Sequence, residues 1–213
     1  MENHADTYFP EFGPLNFSNH FPMTSFAHKK LGATRRQVEA LGKSNLKNLE
    51  LVGNNPAVIE ITDDNFSQNL GRRQSYLGYL AYFKSRVVIG GNLPRINELA
   101  KGISASAFHA LIRAGYGVDA RDVSEVSAGL AYWAGTFLSI MPDEKRSAGL
   151  SNKSVGDVGE AVLDLRQSSE LGELLSSESI SGRMRLTAND SKMQRYIVDA
   201  FCVESISLEE VAK

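Results

Sequence analysis

The sequence predicts an all-α fold, an irregular multi-helix domain over residues 1–142 followed by a loosely ordered C-terminal third, 143–213, made of a linker and short helices. Three observations carry this. Val123, Val126, Leu130, Trp133 and Phe137 recur at spacings of three and four, the signature of one buried helix face. Met23, Ala27 and Leu31 repeat every fourth residue beside Phe26. Residues that start or stop helices bracket such stripes: Pro22 and Thr34 at first turns, Gly32 at an end.

The elements follow in order. After an opening of Pro, Gly and aromatic residues (9–14), Ser18-Asn19-His20-Phe21-Pro22 begins a helix that runs to about residue 30, because capping side chains precede a proline suited to the first turn. Thr34 caps a second helix over 34–51, with Val38, Leu41 and Leu49 facing inward. Aspartates open a third over 63–85, where Phe66, Leu70, Leu77 and Leu80 keep helical spacing and Tyr76, Tyr79, Tyr82 and Phe83 cluster. Val87-Val88-Ile89-Gly90-Gly91-Asn92 resembles a strand leading into a phosphate loop, but neither a G-x-G-x-x-G nor a P-loop pattern follows, and Pro94 stands where Gly or Lys is needed. A turn between helices is the better reading. Helices over 104–114 and 122–140 come next. Beyond Met141 the chain turns polar, with a Ser- and Glu-rich loop at 168–181 between helical stretches at 158–175 and 191–204.

Composition narrows the function. Apolar residues make up 42% and charged residues 23% of the 213, ordinary values for a folded domain. A formal charge of −2 gives no broad positive field for nucleic acid. Cys202 is the single cysteine, so cysteine-based zinc and iron–sulfur sites and an internal disulfide are excluded and a reducing compartment fits. The first twelve residues have no basic and apolar segments of a secretory signal, and no apolar run reaches the roughly 20 residues of a membrane span. The expected location is the cytoplasm.

Only four histidines occur, and no H-E-x-x-H or other local ligand pair is present, so any metal site draws its ligands from separate segments. His109 sits at the margin of an apolar stripe, near Ile112 and Arg113 and two turns before Tyr116. That position suits a ligand with one nitrogen free and the other hydrogen-bonded; it equally suits a half-buried structural histidine. His20, beside Asn19 at a helix start, has the same two readings. His28 and His4 are expected to be solvated, the latter in a frayed terminus. Asp119, Asp122 and Glu125 read as solvated charges at a helix start.

Phe17-Ser18-Asn19-His20-Phe21-Pro22-Met23 with Leu31-Gly32-Ala33, then Ala107-Phe108-His109-Ala110-Leu111-Ile112-Arg113-Ala114-Gly115-Tyr116-Gly117-Val118, resemble two N-terminal histidine motifs of the questin oxidase-like family. The intervening Tyr-Leu-Gly-Tyr-Leu segment and Leu130-Ala131-Tyr132 also resemble it, so that the likeness spans roughly residues 9–140. The resemblance implies a helical oxidoreductase, a monooxygenase of aromatic polyketide-type substrates such as anthraquinones. It implies Fe(II) held by His20 and His109, with Asn19 supporting the first, Tyr79, Tyr82 and Tyr116 lining the site for a small aromatic substrate, and NADPH as a candidate external reductant. Family members are longer and carry further histidines in a motif resembling Leu-His-x-Val-Thr, whereas no histidine follows His109 here. The chain is therefore expected to be short or incomplete, with its metal shell closed by carboxylates, a homodimer partner or a complementing chain. A non-catalytic helical remnant or interaction module is the alternative.

Overall fold

Two short strands form where the sequence offers turn residues rather than helix formers. In the computed structural model, helix α1 (His4–Thr7) is followed by β1 (Glu11–Phe12) and β2 (Phe17–Ser18), an antiparallel ribbon pairing Glu11 with Ser18 and Phe12 with Phe17. Gly13 (φ +71°) and Asn16 (φ +53°) turn it, residue types for which left-handed backbone costs least. The residues described are 4–54, 58–102, 105–139, 160, 179–191 and 193–194. The chain divides into two units, Met1–Leu138 and Ser139–Lys213.

The first unit is helical, as expected. Helix α2 (Phe21–Lys30) starts with Pro22 in its first turn and ends at Gly32 (φ +86°). Met23 is buried, but Leu31, expected in the same stripe, is 87% exposed; it is the capping residue at the end of the helix, immediately before Gly32 turns the chain. Helix α3 (Arg35–Asn45) opens on a reciprocal capping box between Thr34 and Gln37. It stops well short of residue 51: the Asn45 side chain donates to the Leu41 carbonyl, competing with the backbone pattern, and a 3₁₀ turn, Leu46–Asn48, follows.

The helix expected over 63–85 forms only in its second half, as α4 (Tyr76–Lys84). Gly71 (φ +75°) breaks the first half, and a Cβ there would stand 2.8 Å from the Phe137 carbonyl, so the chain passes too close to its neighbour to carry a helix side chain. Residues 87–92 make a turn, with Gly90 left-handed, before α5 (Ile96–Leu99).

Helix α6 (His109–Ala120) begins five residues later than expected, because Ser106, Ala107 and Phe108 all adopt left-handed backbone. Helix α7 (Val123–Gly135) begins on Asp122, whose carboxylate accepts from the Ser124 and Glu125 amides. Asp122 is thus a cap rather than a solvated charge. Two glycines let α6 and α7 approach closely: a Cβ on Gly117 would stand 2.5 Å from Val126 N, and one on Gly129 2.4 Å from Ala114 N. Tyr79, Leu80 and Phe83 of α4 and Leu130 and Trp133 of α7 are buried with Phe66 and Leu99 in one core.

In the second unit, α8 (Ile180–Asn189) is capped by the Ser179 hydroxyl, which accepts from Gly182 N. It occupies a segment whose first residues were expected to be loop. The helix expected at 158–175 and most of that at 191–204 lie outside the described residues. No helix among the described residues is long and apolar enough to cross a membrane.

Candidate functional site

The two histidines singled out in the sequence meet. The His20 and His109 rings, 89 positions apart in the chain, lie with centroids 4.8 Å apart and planes at 78°. Further along the same two helices Phe26 meets Tyr116, edge to face at 6.0 Å, and Lys30 pairs with Asp119. The contacts advance together from one end to the other, so α2 and α6 lie side by side and parallel. Their N-termini, and with them the positive ends of both helix dipoles, converge on the imidazole pair.

That convergence disfavours a protonated His20 ring. His20 is held below its usual pKa by burial and by the facing His109, while a hydrogen bond to the Ser18 backbone acts in the opposite sense. An accepting carbonyl has that opposing effect. His109 Nδ1 lies 2.6 Å from the Ser106 carbonyl oxygen, which can only accept, so Nδ1 donates and Nε2 is the nitrogen this bond leaves unengaged. His109 is therefore held through Nδ1 by a serine carbonyl, the orientation expected of an imidazole ligand, and the Ser18 backbone acts on His20.

The spacing also fits a shared ion. An imidazole bound through one nitrogen has its centre about 3.2 Å from the metal, so two such rings stand about 4.5–5.2 Å apart for angles between square and tetrahedral. The observed 4.8 Å lies inside that range. The donor set, however, stops at two: no group of three or more His, Cys, Asp or Glu side chains suited to a metal occurs among the described residues.

The structure distributes the other expected residues differently. Asn19 is buried next to the pair: its Oδ1 accepts from Phe21 N at 3.2 Å, and its Nδ2 meets His4 Nε2 at 2.9 Å. His4 is thus not solvated. It is 8% exposed, packed against Tyr8 and Phe21, and its pKa falls to about 4 through burial and the nearby Arg113 guanidinium. His28 is exposed as expected. Tyr116 meets Phe26 about two turns along α6 from the pair. Tyr79 does not line a cavity: it is fully buried and donates to the Phe66 carbonyl at 2.7 Å. Tyr82 borders a pocket of about 650 Å³ with Glu60, Asp63 and Arg86 that contains neither histidine, and its hydroxyl donates to Asp63. Glu125, expected to be solvated, grips the buried Arg113 at 3.1 Å, while Asp119 is an exposed partner of Lys30.

Sequence reasoning missed Glu11, Ser18, Ser106 and Tyr132, a cluster of hydrogen-bonded side chains next to the pair. Ser18 and Tyr132 fall within the family-like segments 17–23 and 130–132; nothing around Glu11 signalled its burial.

Residues 17–198 match the family model described as questin oxidase-like, an oxidoreductase by reaction class. Neither a curated protein nor a solved structure matches the chain.

Proposed function

The chain belongs to the questin oxidase-like family, and we propose that within it this protein is a non-heme-iron oxygenase of aromatic polyketide-type substrates, with His20 and His109 as two of the protein ligands of Fe(II). The observation that supports this is the meeting of two imidazoles from distant segments, with His109 held through Nδ1 by a backbone carbonyl. Ferrous iron bound there would supply activation of dioxygen, with NADPH as candidate source of the two electrons a monooxygenation consumes. The chain's own part is to hold the two rings close, with His109 oriented by the Ser106 carbonyl, and to offer an apolar strip beside them. Phe108, Ile112 and Tyr116, partly exposed on and next to α6, would receive the flat face of an aromatic substrate. Two imidazoles leave several coordination positions open, to be completed by a carboxylate, a second copy of the chain or a complementing chain.

The test is metal content after anaerobic incubation with ferrous iron, for the wild type and for His20→Ala and His109→Ala. Near-stoichiometric iron in the wild type, lost in both variants, is the expected result; no iron in the wild type refutes the proposal. A second reading, a non-catalytic helical interaction module, draws support from the exposed apolar Leu31 and Val118. It predicts self-association that the histidine variants leave unchanged.

A further inference from the structure

Ser106, whose carbonyl holds His109, and Ser18, two residues before His20, share a second connection. Ser106 Oγ donates to Glu11 Oε1 at 2.5 Å, Tyr132 Oη donates to the same oxygen at 3.2 Å, and Ser18 Oγ lies 2.7 Å from Tyr132 Oη. The tyrosine's one hydrogen goes to the carboxylate, so Ser18 is the donor in the last of these. Glu11 is 4% exposed, and Ser18 and Tyr132 are buried with it. Burial and the facing Glu11 hold the Tyr132 phenol protonated, as a donor must be. On the backbone, Glu11 is paired with Ser18 across the ribbon. One carboxylate oxygen therefore ties together the segments that carry His20 and His109, both serines turning their hydroxyls toward this cluster while the Ser106 carbonyl binds the His109 ring.

The backbone before His109 needs such a tie. Ser106, Ala107 and Phe108 have φ of +51°, +50° and +66°, and non-glycine residues in this region cost of order 1 kcal/mol or more each. Such a turn persists only when surrounding contacts impose it. The bond from Ser106 to a buried carboxylate is a charge-assisted one, placed on the first of the three strained residues.

We propose that Glu11 is a positioning residue for the His20–His109 pair, acting through Ser106 directly and through Tyr132 on Ser18. This rests on the reading of the pair as ligands, but it makes its own claim about the metal-free protein. The experiment follows the ring-to-ring nuclear Overhauser effect between the two histidines without metal, and cobalt(II) affinity by titration, in the wild type, Glu11→Leu, Glu11→Gln and Ser106→Ala. Near-ultraviolet circular dichroism of Trp133 confirms that each variant is folded. Glutamine keeps an accepting oxygen at that place and should retain the ring contact; leucine and Ser106→Ala should lose most of it, with cobalt(II) affinity falling about tenfold or more. If Glu11→Leu does not fold, Ser106→Ala carries the test alone, since Ser106 is only partly buried. An unchanged ring contact in folded Ser106→Ala and Glu11→Leu overturns the proposal. A ring contact that depends on Ser106 in a wild type that binds no cobalt(II) upholds the positioning role and sinks the ligand reading instead.

Discussion

Acidification below about pH 6.5 should destabilise this protein through His4. In the native state His4 Nε2 accepts from Asn19 Nδ2, whose Oδ1 is committed to the Phe21 amide, so the ring is neutral and has no acceptor for a second proton there. Its pKa drops from 6.5 to about 4 on folding, chiefly through burial. Below pH 6.5 the unfolded chain gains a proton that the native state refuses, so stability is fully present above that value and is lost as the pH falls toward 4. At 1.36 kcal/mol per unit, the loss reaches about 2 kcal/mol at about pH 5. His20, also depressed, adds to the loss with the same sign. His4→Gln keeps an acceptor for Asn19 but does not titrate. Urea unfolding followed by the fluorescence of buried Trp133, at neutral pH and at about pH 5, should show a wild-type loss exceeding that of His4→Gln by about 2 kcal/mol. Equal losses in the two proteins would refute the argument.

Two further substitutions test the frame that carries the site. Gly129→Ala places a methyl 2.4 Å from Ala114 N, against backbone that cannot yield; separating α6 from α7 should cost about 2 kcal/mol or more, read as a lower denaturation midpoint. Glu125→Gln removes the charge facing Arg113, which is 1% exposed; an uncompensated buried guanidinium should cost about 3 kcal/mol. A midpoint unchanged in either variant would contradict the packing described.

The helices were legible because their signals are local. Periodic apolar residues specify α7, and Thr34 with Gln37 specify the start of α3. The interruptions were legible only in part: Gly71 breaks a good helical pattern where Phe137, from a distant segment, lies against it, whereas Asn45 ends α3 through a bond to Leu41 four residues back, a local signal that asparagine carries. Glu125 showed the same limit, since a charge near a helix start reads as solvated until Arg113, twelve residues earlier, is known to be buried beneath it.

The histidines and their supports differ in the same way. Histidine is scarce in this chain, and two of four stood in recognisable surroundings, so His20 and His109 could be named from sequence. What holds them is invisible there. Ser-Ala-Phe contains no glycine or asparagine to announce three consecutive left-handed residues, and a glutamate between Pro10 and Phe12 carries no mark of burial. A turn that its own residues disfavour must be stabilised from elsewhere, and the contacts converge on one carboxylate. If that carboxylate sets the spacing of the rings, changes at Glu11 should alter the pair without touching either histidine. A merely structural glutamate would instead lower stability and leave the ring spacing of the folded protein as it was.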